Sequence, residues 1–216
     1  MTSLKALFSP SEEQLMWRVQ MEDDPHAFAE LVRRWEVPIQ RLCARMTGDS
    51  HRAEDLAQEA FARLFSRRKA YRGGAKFSSY LWRIALNLCY DELRRVSRRR
   101  EAVLDEGLPG EGSHSETLAS TTPGPDEEVA SEESGAVVRQ AVTALPEQYR
   151  SIIVLRHYEN LKFREIADIL ELPEGTVKTR MTEALNLLAR LLKNSLDVRT
   201  HVPANRRERP KQTLVL

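Results

Sequence analysis

The sequence predicts an all-α protein built from two small helical domains, the C-terminal one with the shape of a helix-turn-helix, joined by a flexible acidic linker. Three observations predict the helical class and its division. Apolar residues recur every three or four positions in both halves, no stretch alternates as a strand would, and a segment rich in acids, Gly, Pro, Ser and Thr separates the halves. A chain of 216 residues, 30% charged and 41% hydrophobic, has room for one ordinary domain or two small ones.

The elements follow in order. Residues 1–24 should form a leading helix, since Ser9-Pro10-Ser11-Glu12 has capping-box spacing with proline at the first helical position, so that a helix runs from Pro10 towards Gln20. Within 25–100, Ala27, Phe28, Leu31, Val32 and Trp35 begin a helical stripe that Leu42, Cys43 and Met46 extend until Gly48 stops it. Leu56, Ala60, Phe61, Leu64 and Phe65 form the next stripe, ending before Gly73-Gly74, and Leu81, Ile84, Ala85 and Leu88 mark a fourth helix from about Ser79 to Arg95. Residues 101–134 read as a disordered acidic linker. In 135–192, Ile152, Ile153 and Leu155 after Pro146 predict one helix, Phe163 to Leu170 a second, and the stretch from Gly175 a third, the turn between the last two holding Pro173 and Gly175. Residues 193–216 read as a basic flexible tail.

The net charge of +1 hides two opposed blocks. Residues 61–100 carry 12 Lys and Arg against Asp91 and Glu92, a balance that suits a polyanion. Residues 101–134 carry ten acids and no Lys or Arg. On the fourth helix, Tyr80, Arg83, Asn87, Asp91 and Arg94 fall within an arc of about 80° at helical spacing. Just before it lies Lys76-Phe77-Ser78-Ser79. Rings interleaved with cations suit single strands, because unpaired bases stack on rings while cations follow the phosphates. Alternatively, Phe77, Tyr80 and Trp82 close the helical core. Arg94, Arg95, Arg98, Arg99 and Arg100 favour phosphate contact over a merely solvated helix end.

In the C-terminal unit, Val177, Met181, Ala184 and Leu188 share a core face, while Thr176, Thr179, Arg180 and Glu183 face the other way, with Lys178 and Thr182 at the flank. That second face could enter a major groove, or be the solvated side of a three-helix interaction domain. Eight basic against seven acidic groups in 135–192 predict weak DNA affinity for this unit alone.

Five blocks in order, Asp24-Pro-His-Ala-Phe-Ala-Glu-Leu31, Ala53-Glu-Asp-Leu-Ala-Gln-Glu-Ala-Phe61, Phe77-Ser-Ser-Tyr-Leu-Trp-Arg-Ile-Ala-Leu-Asn87, Ala144-Leu-Pro-Glu147, and Glu165-Ile-Ala167 with Gly175-Thr-Val-Lys-Thr-Arg180, resemble the extracytoplasmic-function group of bacterial sigma-70-type transcription initiation factors. The resemblance implies that 25–100 is sigma region 2 and 135–192 sigma region 4. It implies that Asp55, Gln58, Glu59, Phe61 and Leu64 grip the β′ coiled coil of core RNA polymerase, through an acid-rich patch with an exposed aromatic, and that the β subunit flap is a further contact. Lys76, Phe77, Ser78, Ser79, Tyr80, Arg83, Asn87, Asp91, Arg94 and Arg95 would capture single-stranded bases of the −10 element. Arg164, Glu174, Gly175, Thr176, Lys178, Thr179 and Arg180 would read the −35 element in duplex DNA. An anti-sigma factor is a further implied partner.

Four positions depart from the family pattern. Tyr80 stands where tryptophan is common. Lys162 replaces the usual Ser or Thr cap, so a capping box with Glu165 should be lost. Glu183 and Leu185 occupy positions usually basic. As a free coil the linker would span about 30 Å, against about 70 Å for two turns of DNA, so the polymerase should hold it stretched in a basic channel.

The same residues exclude other classes. No apolar run approaches the ~18 residues of a spanning helix and the start lacks a secretory pattern, so the chain is expected in the cytoplasm, without membrane insertion. Cys43 and Cys89 lie far apart without a C-x-x-C and read as small core residues. No P-loop, G-x-S-x-G or H-E-x-x-H is present and the five histidines do not cluster, so neither an enzyme, a cofactor nor a metal site is expected. The competing readings are a stand-alone helix-turn-helix regulator and a polymerase-binding adaptor without melting activity.

Overall fold

A computed structural model of the chain describes residues 9–72, 76–105 and 127–200, with side chains omitted at 103–105, 127–134 and 195–200. All regular structure among them is helical: α1 (Glu12–Met21), α2 (Pro25–Thr47), α3 (Ser50–Ser66), a short 3₁₀ turn (Arg68–Ala70), α4 (Phe77–Asp105), α5 (Glu127–Thr143), α6 (Glu147–Ile153) running into a π turn (Val154–Tyr158), α7 (Phe163–Leu170) and α8 (Glu174–Thr200).

The helix ends show why these segments fold as they do. Ser11, two residues later than expected, caps α1: its Oγ accepts from Gln14 N–H at 3.2 Å, and Gln14 Oε1 accepts from Ser11 N–H at 2.9 Å. Ser9 and Pro10 thus precede the helix. Asp24 caps α2 by accepting from His26 N–H at 2.8 Å and Ala27 N–H at 3.2 Å, with Pro25 at the first helical position, where no amide partner is needed. Gly48 ends α2 at φ 79°, a left-handed conformation suited to glycine, and Asp49 at once caps α3.

Helices α1 to α4 enclose one core. Behind the start of α4 sits an aromatic cluster: Trp35 meets Trp82 edge-on at 5.4 Å and Phe77 at 6.1 Å, and Tyr71 meets Phe77 at 6.4 Å and Tyr80 at 5.3 Å. Cys43 and Cys89 are buried free thiols in this core. The Cys89 thiol is pushed far up by its hydrogen bond with Cys43 and by burial, which leaves it inert. Helices α5 to α8 form the second unit, in which Val177, Met181 and Ala184 of α8 are buried and Leu188 packs against the core.

Two expectations are revised. Helix α5, with buried Val137, Ala141 and Val142, precedes the three helices predicted for this unit. Helical structure also enters the segment expected to be linker from both sides, through 101–105 and 127–134; residues 106–126 and the expected tail from 201 onward lie outside the described residues.

The two units pack against each other. The guanidinium of Arg150, from α6, is buried and donates to Met46 O at the end of α2 and to Thr143 O and Leu145 O after α5. Its Nε has no partner, and burial pulls its pKa down from the usual arginine value. Arg45 of α2 meets Glu159 at 3.3 Å and lies over the Tyr158 ring at 4.4 Å. Arg150→Met should therefore lower stability by about 2 kcal/mol or more, because three buried carbonyls lose their donor. A fall in the urea midpoint with an unchanged slope would confirm it, and an unchanged midpoint would refute it.

Candidate nucleic-acid interface

Helix α4 presents the predicted polar face. Its apolar side, Leu81, Trp82, Ala85, Leu86, Leu88 and Cys89, is locked in the core. On the other side Asn87, Asp91, Arg94 and Arg95 are exposed and Tyr80, Arg83 and Ser78 half-buried. Asp91 and Arg94 line a shallow cleft with Ser97 and Arg98. Lys76, just ahead of the helix, is exposed.

Phe77 and Ser79 do not share that face. Phe77 is 0% exposed and its ring is occupied by Trp35 and Tyr71, while Ser79 is 7% exposed. The core reading therefore holds for Phe77 and Trp82, and Tyr80 is the ring left partly accessible. Spacing alone could not separate them, because the apolar stripe and the polar arc adjoin at the first turn of α4.

The cations of this face already have partners. Lys76 Nζ donates to Glu165 of α7 at 2.7 Å, which raises the ammonium's pKa and lowers that of the carboxyl, whose other oxygen accepts from Lys162 N–H at 2.9 Å. That last bond corrects the expected loss of the capping box: Lys162 offers no side-chain acceptor, yet the half made by Glu165 survives. Arg83 donates to Asp168 O at 2.7 Å and Ile169 O at 3.3 Å and pairs with Glu171, and Arg94 reaches Glu147 at 3.6 Å. Arg95 is held from below. Glu92, almost wholly buried, accepts from Arg95 at 2.8 Å and from Arg52 at 2.9 Å.

The predicted duplex-reading surface is open by comparison. Arg164, Glu174, Gly175, Lys178 and Thr179 are exposed, and Thr176 and Arg180 half-buried. Lys178 pairs with Glu174 at 2.7 Å, and Thr179 donates its hydroxyl to Gly175 O at 3.1 Å, leaving its oxygen free to accept. A Cβ built on Gly175 meets nothing within 4 Å. Glu183 accepts from Tyr149 OH at 2.9 Å, so it ties α8 to α6, and Leu185 is exposed.

The expected polymerase surface divides in two. Asp55, Gln58 and Glu59 are exposed, with Asp55 paired to Arg52 and Glu59 to Arg63. Leu64 and Phe61 are buried, so neither is the exposed aromatic anticipated; packing of α3 on α2 takes both. Phe65 is the accessible ring instead. Together with Phe28 and Val32 of α2 and Phe61 and Ala62 of α3, it lines an apolar groove of about 460 Å³, rimmed by Glu36, Gln40 and Gln58. The signal for the groove was an apolar stripe on α2 wider than a core face needs.

Family profiles match both units: Sigma-70 region 2 over residues 31–99 and Sigma-70, region 4 over residues 136–188. The chain is 37% identical over 174 residues to the ECF RNA polymerase sigma factor SigW of Bacillus subtilis strain 168, an alignment covering 79% of this chain and 91% of that one. It is 31% identical over 189 residues to the RNA polymerase sigma-H factor of Pseudomonas aeruginosa, covering 86% and 96%. In fold it is similar to CnrH, solved in complex with the cytosolic domain of CnrY, with TM-score 0.60 and 18% identity over 85% of this chain and 97% of that one. It is likewise similar to the sigma factor RpoE, solved with the anti-sigma factor NepR from Bartonella quintana, with TM-score 0.59 and 21% identity over 77% and 96%.

Glu92 gives this interface a pH dependence. Burial alone would raise its carboxyl pKa, but the hydrogen bonds from Arg95 and Arg52 outweigh it and hold the value below the usual range. A depressed folded value means that the stabilisation is complete above the unfolded pKa of roughly 4.3 and is lost as pH falls through the folded value. Glu92→Gln should thus cost about 1–2 kcal/mol at pH 7 and less at pH 3, because the stabilisation shrinks as the carboxylate is protonated. Urea midpoints measured at both pH values check this; an equal deficit at both would refute it.

Proposed function

The chain belongs to the extracytoplasmic-function group of sigma-70-type transcription initiation factors, and from that premise we propose that it directs core RNA polymerase to promoters by reading a −35 element with α8 and capturing bases of a −10 element on α4. The observation that carries the reading is the α4 face itself: Arg83, Asn87, Asp91 and Arg94 beside a partly accessible Tyr80, on a helix whose opposite side is fixed by the aromatic cluster.

The energetics suit melting without a fuel. Each base stacked on protein supplies about 1–3 kcal/mol, comparable to the mean cost of about 1.4 kcal/mol for one DNA stacking step. A few captured bases then shift duplex towards the open form by the difference in affinity for the two forms. With Phe77 in the core, Tyr80 is the stacking ring, Asn87 supplies paired donor and acceptor groups, and Lys76, Arg94 and Arg95 follow phosphates. On α8, Lys178 and Arg180 contact phosphates, while Thr176, Thr179 and Glu174 approach base edges across the open surface at Gly175.

Core polymerase is the catalytic partner. Its β′ coiled coil would lie along Asp55, Gln58 and Glu59, with an apolar anchor in the groove between Phe28 and Phe65, and the β flap would hold the C-terminal unit. RpoE and CnrH were each solved with a second protein, named an anti-sigma factor in the case of RpoE. An anti-sigma factor is accordingly proposed as a regulator of this chain, which would act in the cytoplasm. Among the described residues no helix is long and apolar enough to cross a membrane.

Reconstituted transcription with purified core polymerase on a promoter library tests the reading. Permanganate should reveal unpaired thymines at the −10 element, and Arg83→Ala with Asn87→Ala should reduce open complexes about tenfold or more. Absence of reactive thymines, or a double variant as active as the parent, would overturn it.

A further inference from the structure

We infer that the exposed indole of Trp17 on α1, with Met21 beside it and the cationic turn at residues 67–72 along its edge, is a second stacking platform for single-stranded nucleic acid. It continues the strand path from Tyr80 of α4 across to α1. The inference rests on reading the α4 face as the base-capturing site and adds to it a side chain from another helix.

Helix α1 buries Leu15, Met16 and Val19. At helical spacing Trp17 and Met21 lie about 40° apart on the opposite side. They are 52% and 62% exposed, the highest values for large apolar side chains among the described residues. Gln20 lies between that side and the core, and it is where the turn docks. Its amide donates to Lys69 O at 3.3 Å and to Tyr71 O at 2.9 Å, and Lys69 Nζ donates back to Gln20 O. The turn is thus fixed along the edge of the indole. Residues 67–72 hold Arg67, Arg68, Lys69 and Arg72 and no acid, and all but Arg68 of these cations are exposed. The acids nearby are already committed: Asp23 pairs with Arg68 at 2.6 Å and Lys69 at 3.7 Å, and Glu22 with Arg18 at 3.8 Å.

The other side of the same turn meets the α4 face, where the Tyr71 ring lies 5.3 Å from that of Tyr80. A strand that stacks on Tyr80 therefore leaves it over the cationic turn, with the indole of Trp17 beyond. Rings on either side of a cationic segment let bases stack while phosphates run along the charges. Phe65 also borders the turn, but its ring is occupied by Arg68 at 4.3 Å and Phe28 at 5.0 Å. The size of the platform also favours a base as its occupant. One indole with one thioether suits a single stacked base, whereas a standard protein interface covers about 800 Å² on each partner. The apolar surface does not continue along α1, since the exposed neighbours of Trp17 are Glu13, Gln14 and Arg18. Stacking tolerates any base, so the platform adds affinity for unpaired strand without sequence preference.

The test titrates the full chain in low salt with a short mixed-sequence DNA single strand, read by the anisotropy of a labelled strand and by indole emission. Trp17→Phe keeps a ring and supplies the emission background of Trp35 and Trp82, which belong to the aromatic cluster. The strand should quench the parent's emission and leave that of W17F unchanged. Trp17→Ala should lower single-strand affinity about fivefold or more, and W17F should stay within about twofold of the parent. Affinity for a duplex of the same sequence should change less than about twofold in both variants. Because the side chain is exposed, the urea midpoint of W17A should match the parent's. Parent emission indifferent to the strand, unchanged single-strand affinity in W17A, or an equal loss for strand and duplex would overturn the platform. So would a parent dimer that W17A dissociates in sedimentation, since the indole would then serve a second copy of the chain. The α4 reading fails separately, on the permanganate result with polymerase.

Discussion

Every α-helix leaves carbonyl oxygens unpaired at its carboxyl end, and in this protein lysine and arginine supply many of the missing donors. Lys69 donates to Gln20 O near the end of α1, Arg68 to Phe65 O of α3, Arg150 to Met46 O of α2 and Thr143 O of α5, and Arg83 to Asp168 O and Ile169 O of α7. Two of these cross between the units, and they fix how the second unit sits on the first. The same donors that meet a phosphate oxygen meet a helix-end carbonyl, because both are concentrated acceptors that reward a charged fork. A cation carried on one helix can therefore be held within the chain by the carboxyl end of another.

This constraint also accounts for the charge of the C-terminal unit. Its near-neutral balance is ill suited to a DNA-binding module until the acids are placed. Of the seven in residues 135–192, Glu147, Glu159, Glu165 and Glu171 each pair with a basic residue of the first unit, namely Arg94, Arg45, Lys76 and Arg83. Glu174 pairs within α8 and Glu183 binds Tyr149. The acidity is thus mostly committed to the interface between units or to the unit's own framework.

Much of the fold was legible because the signals were local. Asp24, Pro25 and Gly48 bracket α2 through side-chain and backbone chemistry that needs no tertiary partner, and the turn before α8 announces itself through Pro173 and Gly175. Helix α5 was not legible in the same way: acidic and small residues around it resemble linker, and its apolar set of Val137, Ala141 and Val142 becomes decisive only when there is a groove to fill. The candidate face on α4 was readable as an arc of residue types, but not which rings belong to it. Phe77 and Tyr80 sit one turn apart, and Tyr71, Trp35 and Trp82 decide that the first is buried. Phe61 and Leu64 illustrate the limit of transferring roles by position: both lie in the expected polymerase-facing segment, yet they form the wall behind the surface, while Phe65 and Phe28 line what a partner can reach. Contacts between units, such as Arg83 with the end of α7, depend on an arrangement that no local pattern encodes.

The strength of the closed arrangement follows from where its contacts lie. Exposed pairs such as Lys76 with Glu165 contribute at most about 1 kcal/mol each, and they shrink with salt. The Arg150 contacts are buried, but two of its three acceptors belong to its own unit, and separation of the units exposes only Met46 O, which water can then satisfy. Apolar packing adds to these polar contacts, since buried residues of both units, Leu88 and Cys89 with Val142, Leu145 and Ile152 among them, belong to one continuous core.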